Sequence, residues 1–515
     1  MKITLAIHTR HDANMSISRD EKVVSYIEFE KIVNKRYFAF SEEVDAFRRQ
    51  CVEFILPCVK DFPIIDEIIL NWVTPQQEEI LHGIFKNVLV WKKAHHHIAH
   101  AWSSYVFTEP QESDLILSYD GGGDLDDFFK MYIYKNRDVT ILKEVKVNLG
   151  RPYRLLGLLS PELYKDQKGG YSLEHALAGK IMALASLGNV VDTYEEPLNR
   201  FYRDFENHTV EGNFSIFLKN IGYADKKFLS LEIARDVLAT SQRVFEEIVE
   251  IEFFPLIREL SPKRIIINGG CALNVTMNSK ISRIFNIPIF ISPCPSDCGI
   301  SLGTLKMFDQ KIDTLSSPFT DIFPKNIDMI SSLKNKFNCE KFNIKKFAEL
   351  LASGKIVGTV RGGLEIGPRA LGNRSYLANP LINGMKNRIN DMKGREFWRP
   401  VAPIVLEDLS SKYFNTNQNS PYMSFAPNVR LQYKSDLKEI LHFDDTARIQ
   451  TVRKTDGWIY ELLHEFEKLT GWGIIMNTSF NKKGEPLINN MEDVINIFDS
   501  TKLDGIATND LLILK

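Results

Sequence analysis

The chain has 515 residues, 44 % of them apolar, and a formal net charge of −2. That length exceeds one ordinary core, so two or more domains are expected. The near-zero charge excludes a global basic field of the kind that draws proteins to nucleic acid, while a local basic groove stays compatible with it.

Six cysteines (Cys51, Cys58, Cys271, Cys294, Cys298, Cys339) are sparse and unpatterned. They argue against a disulfide scaffold and fit a reducing, cytoplasmic setting. The opening MKITLAIHTRHD reaches polar residues at His8 and has no signal-peptide core. No run of about eighteen apolar residues predicts a membrane span.

In chain order, ITLAIHTRHDANMSISRDEKVVSYIEFEK predicts a strand, a turn, a second strand, a turn at Arg19–Asp20 and a third strand. SEEVDAFRRQCVEFILPC has helical spacing, and DEIILNWV and KNVLVW predict buried strands. The histidine-rich WKKAHHHIAHAWSSY follows with helical character through Trp102 and Tyr105. DLILSYDGGGD is a strand entering a glycine turn. FKMYIYKNRDVTILKEV then reads as a hairpin, and a helical region runs from about residue 172 to 187.

A long amphipathic helix is expected from about 229 to 260. KRIIINGGCALN and IPIFISPCPSDCGISLG then each read as a strand followed by a glycine turn. The Ser/Thr/Pro-rich IDTLSSPFTDIFPKN, residues 312–326, reads as a linker, after which FAELLASGKIVGTVRGG opens a new α/β unit. No internal repeat is visible in the sequence.

Four of the eleven histidines fall within residues 95–100. On a helix, His96 and His100 share a face and can place two imidazoles on one divalent metal, or simply form a polar face. His95 and His97 point elsewhere and read as ordinary polar positions or, alternatively, as neighbours that touch substrate. Asp120 and Asp297 stand at strand ends beside glycines, where α/β folds put ligand chemistry. Two histidines with carboxylates and open positions suit Fe(II) or Mn(II) better than structural zinc. Cys294 and Cys298 lack a second pair at zinc spacing and read as packing or turn residues.

DGGGD (Gly121, Gly122, Gly123) and NGGCALN (Gly269, Gly270, Asn274) can bring backbone N–H groups close to phosphate. Neither is a Walker A loop. Together they resemble the nucleotide clamp of the actin/hexokinase/Hsp70 (ASKHA) superfamily, with Asn274 or Asn278 near the nucleotide and Lys180 as a weaker candidate. The C-terminal third gathers Arg369, Arg374, Lys393, Arg395, Arg399 and Arg448 in turn-rich, otherwise apolar sequence. Such a set reads either as surface charge or as forks for an anionic substrate, and its number favours the second.

HHIAHA, YDGGGD, GKIMALASLG, NGGCALN, PSDCGISLG, GPRALGNRS, KGREFWRPVAP, TARIQTV and NTSFNKKGEP together resemble the O-carbamoyltransferase family of the NodU/TobZ type, over nearly the whole chain. The resemblance implies an α/β architecture: an ASKHA-type domain over 1–320 and a smaller YrdC-like domain over 321–515. Carried over onto this chain, the metal ligands would be His96, His100, Asp120 and Asp297, and the metal Fe(II). ATP, accompanied by Mg2+, would use the two glycine loops and Lys180. Carbamoyl phosphate would meet Lys393, Arg395, Arg399, Arg448, Arg369, Arg374 and Asn477, with Lys393 and Arg448 foremost. His11, beside Asp12, is the candidate base, or else a turn histidine satisfied by Asp12.

The implied reaction makes carbamate from carbamoyl phosphate, joins it to ATP as carbamoyl adenylate with release of pyrophosphate, and transfers the carbamoyl group to a hydroxyl of a small-molecule natural product. Carbamate is unstable in water, so its transfer is expected to be shielded. A small homo-oligomer is a further expectation; membrane and nucleic-acid partners are not expected. Departures from the family pattern are the missing glycine before His11-Asp12, Lys31 for an arginine, and ALASLG for a GLAPYG-like run; they bear on the acceptor and the nucleotide rim. Two other readings share these motifs: a tRNA threonylcarbamoyl-forming enzyme, and a non-catalytic ASKHA-like nucleotide-binding protein.

Overall fold

The computed structural model describes residues 1–515 except 125–126, 165–171, 225–228, 323, 327–328, 330–332 and 334–335. The chain divides into two compact units: Met1–Asn274 with Ile287–Ser317, and Val275–Asn286 with Pro318–Lys515. The division after Ser317 falls inside the Ser/Thr/Pro-rich stretch, of which Phe323 lies outside the described residues. The helix Val275–Ile284 goes with the second unit, which no feature of its sequence announces. Its side chains explain why: Asn278 Nδ2 donates to Ser424 O at 3.0 Å, Ser279 Oγ accepts from Ala426 N at 2.7 Å, and Ser282 Oγ donates to Asn417 Oδ1 at 2.9 Å.

The first unit holds two five-stranded sheets. One comprises β1 (Ile3–His8), β2 (Asn14–Arg19), β3 (Lys22–Glu28), β4 (Glu67–Asn71) and β5 (Val90–Ala94), in the order β3-β2-β1-β4-β5. The other comprises β6 (Leu115–Tyr119), β7 (Phe129–Lys135), β8 (Asp138–Val145), β9 (Ile265–Asn268) and β10 (Ile289–Phe290), in the order β8-β7-β6-β9-β10. In both, the first three strands pair antiparallel and the last two join in parallel. This doubled topology is that of an ASKHA-type domain. The central strands β1, β4, β6 and β9 are buried throughout, as their unbroken apolar character requires.

The doubling sets up equivalent positions. Asn71 ends β4 as Asn268 ends β9. The helix His96–Ser103 follows β5 as the helix Ile300–Phe308 follows β10. These two helices cross closely because Gly303 has no side chain: a Cβ there would lie 2.0 Å from Ala99 O. Strand β5 differs from its expectation. KNVLVW was expected to be buried, but the strand starts at Val90, lies at the sheet edge and is partly exposed, with Leu89 just before it 91 % exposed. An apolar run cannot tell an edge from a centre.

The second unit is built on one eight-stranded mixed sheet. Its strands are β11 (Asn338–Lys341), β12 (Val357–Val360), β13 (Ser375–Ala378), β14 (Ala402–Leu406), β15 (Gln450–Val452), β16 (Ile474–Ser479), β17 (Gly505–Thr508) and β18 (Leu511–Leu514), in the order β11-β18-β17-β12-β13-β16-β14-β15. Alternation along the strands feeds two cores. Leu377 and Ile475 pack with Phe347, Leu463 and Phe466 of the helices Ile344–Ala352 and Trp458–Thr470. Tyr376, Ile474 and Met476 pack with Met385, Phe480 and Phe498. Among the described residues, no helix is long and apolar enough to cross a membrane.

Candidate active site

In the first unit, His96, His100, Asp120 and Asp297 are all buried and offer ligand atoms that lie within 4.8 Å of one another. The helix His96–Ser103 projects both imidazoles from successive turns. Asp120 follows the C-terminal end of β6, and Asp297 stands in the turn between β10 and the helix Ile300–Phe308. His96 Nε2 lies 3.1 Å from His100 Nε2. Asp297 Oδ1 lies 3.4 Å from the first and 3.2 Å from the second, and Asp120 Oδ2 lies 3.3 Å from His100 Nε2. Such separations match the edge of a coordination polyhedron with ligand bonds of about 2.1 Å. Both Asp297 oxygens are buried without a hydrogen-bond partner. Burial would raise the Asp297 carboxyl, but the imidazoles of His96, His11 and His100 hold it well below its usual range. Burial would likewise lower His100, yet Asp120 and Asp297 lift it to about 9. A cation between these groups satisfies all four, so the donor set fits a divalent metal.

The glycine loops fasten this cluster. Asp120 accepts from Gly121 N through Oδ1 and from Gly270 N through Oδ2, each at 2.5 Å. Gly269, at φ +89°, passes so close to β6 that a Cβ would meet Tyr119 O at 2.1 Å. Gly122 comes near Trp72 and Gly123 near His97 and Asp127. Asn274 exchanges hydrogen bonds with Gln242 at 3.1 and 3.2 Å, beside Tyr153 Oη on Gln242 Oε1. Lys180 stands half-buried on the helix Leu177–Ala185. His97 is structural in its bonding: Nδ1 meets Ser118 Oγ and Nε2 meets Asp127 O, each at 2.9 Å. His95 is exposed.

His11 comes to the cluster, with Nε2 3.4 Å from Asp297 Oδ2 and Nδ1 3.3 Å from Asp12 Oδ2. Burial alone would lower its imidazole, but Asp297 and Asp12 raise it. Three neighbours, His8, His175 and Arg154, escaped the sequence reading. His8 ends β1, is fully buried, and lies 3.7 Å from Asp297 Oδ2 while its Nδ1 meets Asn71 Oδ1 at 3.2 Å. The His175 ring lies 4.1 Å from that of His11 and accepts from Arg154 Nη1 at 2.9 Å. The position of His8 at the end of a central strand was the available signal for it. Lys31 is buried in an ion pair with Glu28 at 2.7 Å, which keeps its ammonium charged against burial.

The second unit gathers cations. Burial holds the Arg448 guanidinium well below its usual range, and Arg369, Arg395 and Arg399 add to the effect. Arg448 Nε is buried with no hydrogen-bond partner. Arg395 donates to Thr478 Oγ1 at 2.9 Å, and Glu396 lies 3.8 Å from Arg399. Lys393 directs its ammonium at Ser479 O, Ser479 Oγ and Asn481 Oδ1, so its donors are engaged within the protein. Asn477 donates to Ala370 O at 2.9 Å while its Oδ1 is buried without a partner. Arg374 is turned to the backbone instead: fully buried, it donates to the carbonyls of Arg361, Gly362 and Asn373. His442 stands in the field of Arg448 and Lys386. Burial and these two cations, against the pull of Asp444, bring its imidazole down to about 4.

Known families match both units. The carbamoyltransferase N-terminus family matches residues 64–305 and the carbamoyltransferase C-terminus family residues 348–515. Nodulation protein NolO of Bradyrhizobium diazoefficiens is 31 % identical over 447 residues, covering 82 % of this chain and 78 % of that one. Nodulation protein NolNO of Sinorhizobium fredii is 33 % identical over 455 residues, covering 82 % of this chain but only 63 % of the relative. 3′-Hydroxymethylcephem-O-carbamoyltransferase of Amycolatopsis lactamdurans is 31 % identical over 345 residues, covering 65 % of this chain and 64 % of the relative. The chain thus spans less than two thirds of the length of the last two. It belongs to the carbamoyltransferase family.

Proposed function

We propose that the protein transfers a carbamoyl group from carbamoyl phosphate, with ATP, to a hydroxyl of a small molecule. The observation that carries this reading is the arginine group around Arg448, whose guanidinium is held well below its usual range by burial and by Arg369, Arg395 and Arg399, in a chain of the carbamoyltransferase family. So many like charges are held together at a cost that a bound phosphate would relieve. Family membership and the cephem relative support a hydroxyl acceptor.

In this reading Arg448, Arg369, Arg395 and Arg399 hold the donor phosphate, and Lys393 fixes the Ser479–Asn481 wall beside Arg395. Water hydrolyses carbamoyl phosphate to carbamate and inorganic phosphate, and a carbamate oxygen then attacks the α-phosphate of ATP as pyrophosphate departs. In the first unit the glycine loops offer N–H groups to the nucleotide. His96, His100, Asp120 and Asp297 would hold a divalent ion such as Fe(II), which would supply Lewis acidity. His11 Nε2 takes the proton of the acceptor hydroxyl as its oxygen bonds the carbamoyl carbon and AMP departs. Asp12 orients the ring through Nδ1.

Incubation of the purified protein with ATP, carbamoyl phosphate and Fe(II) under anaerobic conditions, without acceptor, tests this. Pyrophosphate and carbamoyl adenylate are expected by mass spectrometry, and Arg448→Ala is expected to abolish both. No adenylate from the metal-loaded protein would remove carbamoyl phosphate as donor.

A further inference from the structure

The arginine group carries one neighbour of a different kind. His442 Nε2 is shielded from solvent and has no hydrogen-bond partner. Its other nitrogen decides its chemistry. Nδ1 lies 2.9 Å from Thr446 Oγ1. That hydroxyl has a single proton, which it donates to Asp444 Oδ1 at 2.7 Å. A carboxylate only accepts, so Thr446 must accept from His442, and Nδ1 carries the imidazole hydrogen. The neutral ring therefore holds an unprotonated lone pair at Nε2. Thr446 N also donates to Asp444 Oδ1, at 3.1 Å, and His442 N donates to Thr446 O at 2.8 Å, so the His442–Thr446–Asp444 relay is fixed at its backbone. Arg448 lies two residues further along the same segment.

The segment packs against the arginine loop, for the Phe443 ring lies 6.3 Å from that of Phe397, between Arg395 and Arg399, and guanidinium donors call for phosphate oxygens. A lone-pair acceptor beside them is not satisfied by an ionised phosphate oxygen, which only accepts. It calls for a ligand that combines an anionic phosphate with an N–H. We propose that His442 is the specificity-determining residue of this anion site, its Nε2 accepting a hydrogen bond from the amide NH2 of a carbamoyl phosphate. The inference rests on the donor reading above and deepens it. A site that fills a buried acceptor with a substrate N–H discriminates against the analogue lacking it, because that analogue leaves the nitrogen unpaired. Acetyl phosphate, with a methyl group in place of NH2, is that analogue.

Equilibrium binding of inorganic phosphate, acetyl phosphate and carbamoyl phosphate to the full-length protein without ATP tests the assignment. The wild type is expected to bind carbamoyl phosphate at least about tenfold more tightly than acetyl phosphate. His442→Phe should bring that ratio close to one through a loss of affinity for carbamoyl phosphate. Thr446→Val, which frees the ring to move its hydrogen to Nε2, should lower the ratio with His442 still present; it carries the test if His442→Phe does not fold. A ratio unchanged in these variants, or a wild type that binds phosphate but does not discriminate between the two acyl phosphates, overturns the role of His442 and leaves the anion site standing. A wild type that binds none of the three overturns both.

Discussion

The two units use histidine nitrogens shielded from solvent with opposite sign. Burial favours the neutral imidazole in both. At His100 the carboxylates of Asp120 and Asp297 overcome it and lift the group to about 9. At His442 the cations Arg448 and Lys386 reinforce it and bring the group to about 4. One pocket is short of positive charge and gathers imidazoles around two carboxylates; the other has an excess and keeps its imidazole unprotonated. The first is suited to a cation, the second to an anion, and neither property follows from histidine or arginine content alone.

The strongest way to break this comparison is to empty each pocket separately. Asp297→Ala removes the carboxylate that His8, His11, His96 and His100 face. Metal affinity, read by equilibrium dialysis and elemental analysis, should fall more than about a hundredfold. Binding of carbamoyl phosphate should stay as in the wild type. A variant that keeps its metal shows that Asp297 serves only as a counter-charge to protonated histidines.

Arg448→Met acts on the other pocket and should have two effects of opposite direction. Phosphate binding falls by tens to about a hundredfold, as a charge-assisted contact is lost. The protein without ligand gains stability, because a half-buried guanidinium beside three others is removed while the stem volume is kept. A rise in melting temperature of about 2–4 °C is expected. A fall would mean that Arg448 is compensated within the fold and is a structural residue like Arg374.

Much of the first pocket was legible because its chemistry is local. The spacing of His96 and His100 places both rings on one helix face, and Asp120 and Asp297 stand where strands give way to glycine turns. Alternating residues likewise announced β1 to β3. What escaped depends on relations between distant residues. The doubling of the first unit lies in the order and sense of strands, which a comparison of residue types cannot register. His8 joins Asp297 across 289 positions of sequence. Arg374 and Arg448 stand alike in turn-rich sequence. Only the fold shows that carbonyls of Arg361 and Gly362 take up one guanidinium and that other arginines crowd the second. His442 was quoted within its motif, but its character depends on a threonine proton committed to Asp444.

That character has a consequence for stability. An unfolded histidine titrates near 6.5, and His442 in the folded protein near 4, so between these values the unfolded chain binds the extra proton. Stability therefore rises with pH across that window. The contribution is fully present above about 6.5 and is lost as pH falls toward 4. The full share is about 3 kcal/mol, most of it lost between pH 7 and pH 4.5. Denaturant unfolding of the wild type and of His442→Phe at pH 7 and pH 4.5 isolates it, because other titrating groups are common to both. The wild type should lose about 2 kcal/mol more than the variant on acidification. Equal losses would mean that the folded site accepts the proton as readily as water does. The excess of cations around Arg448 would then be too weak to hold the Nε2 lone pair open for a substrate N–H.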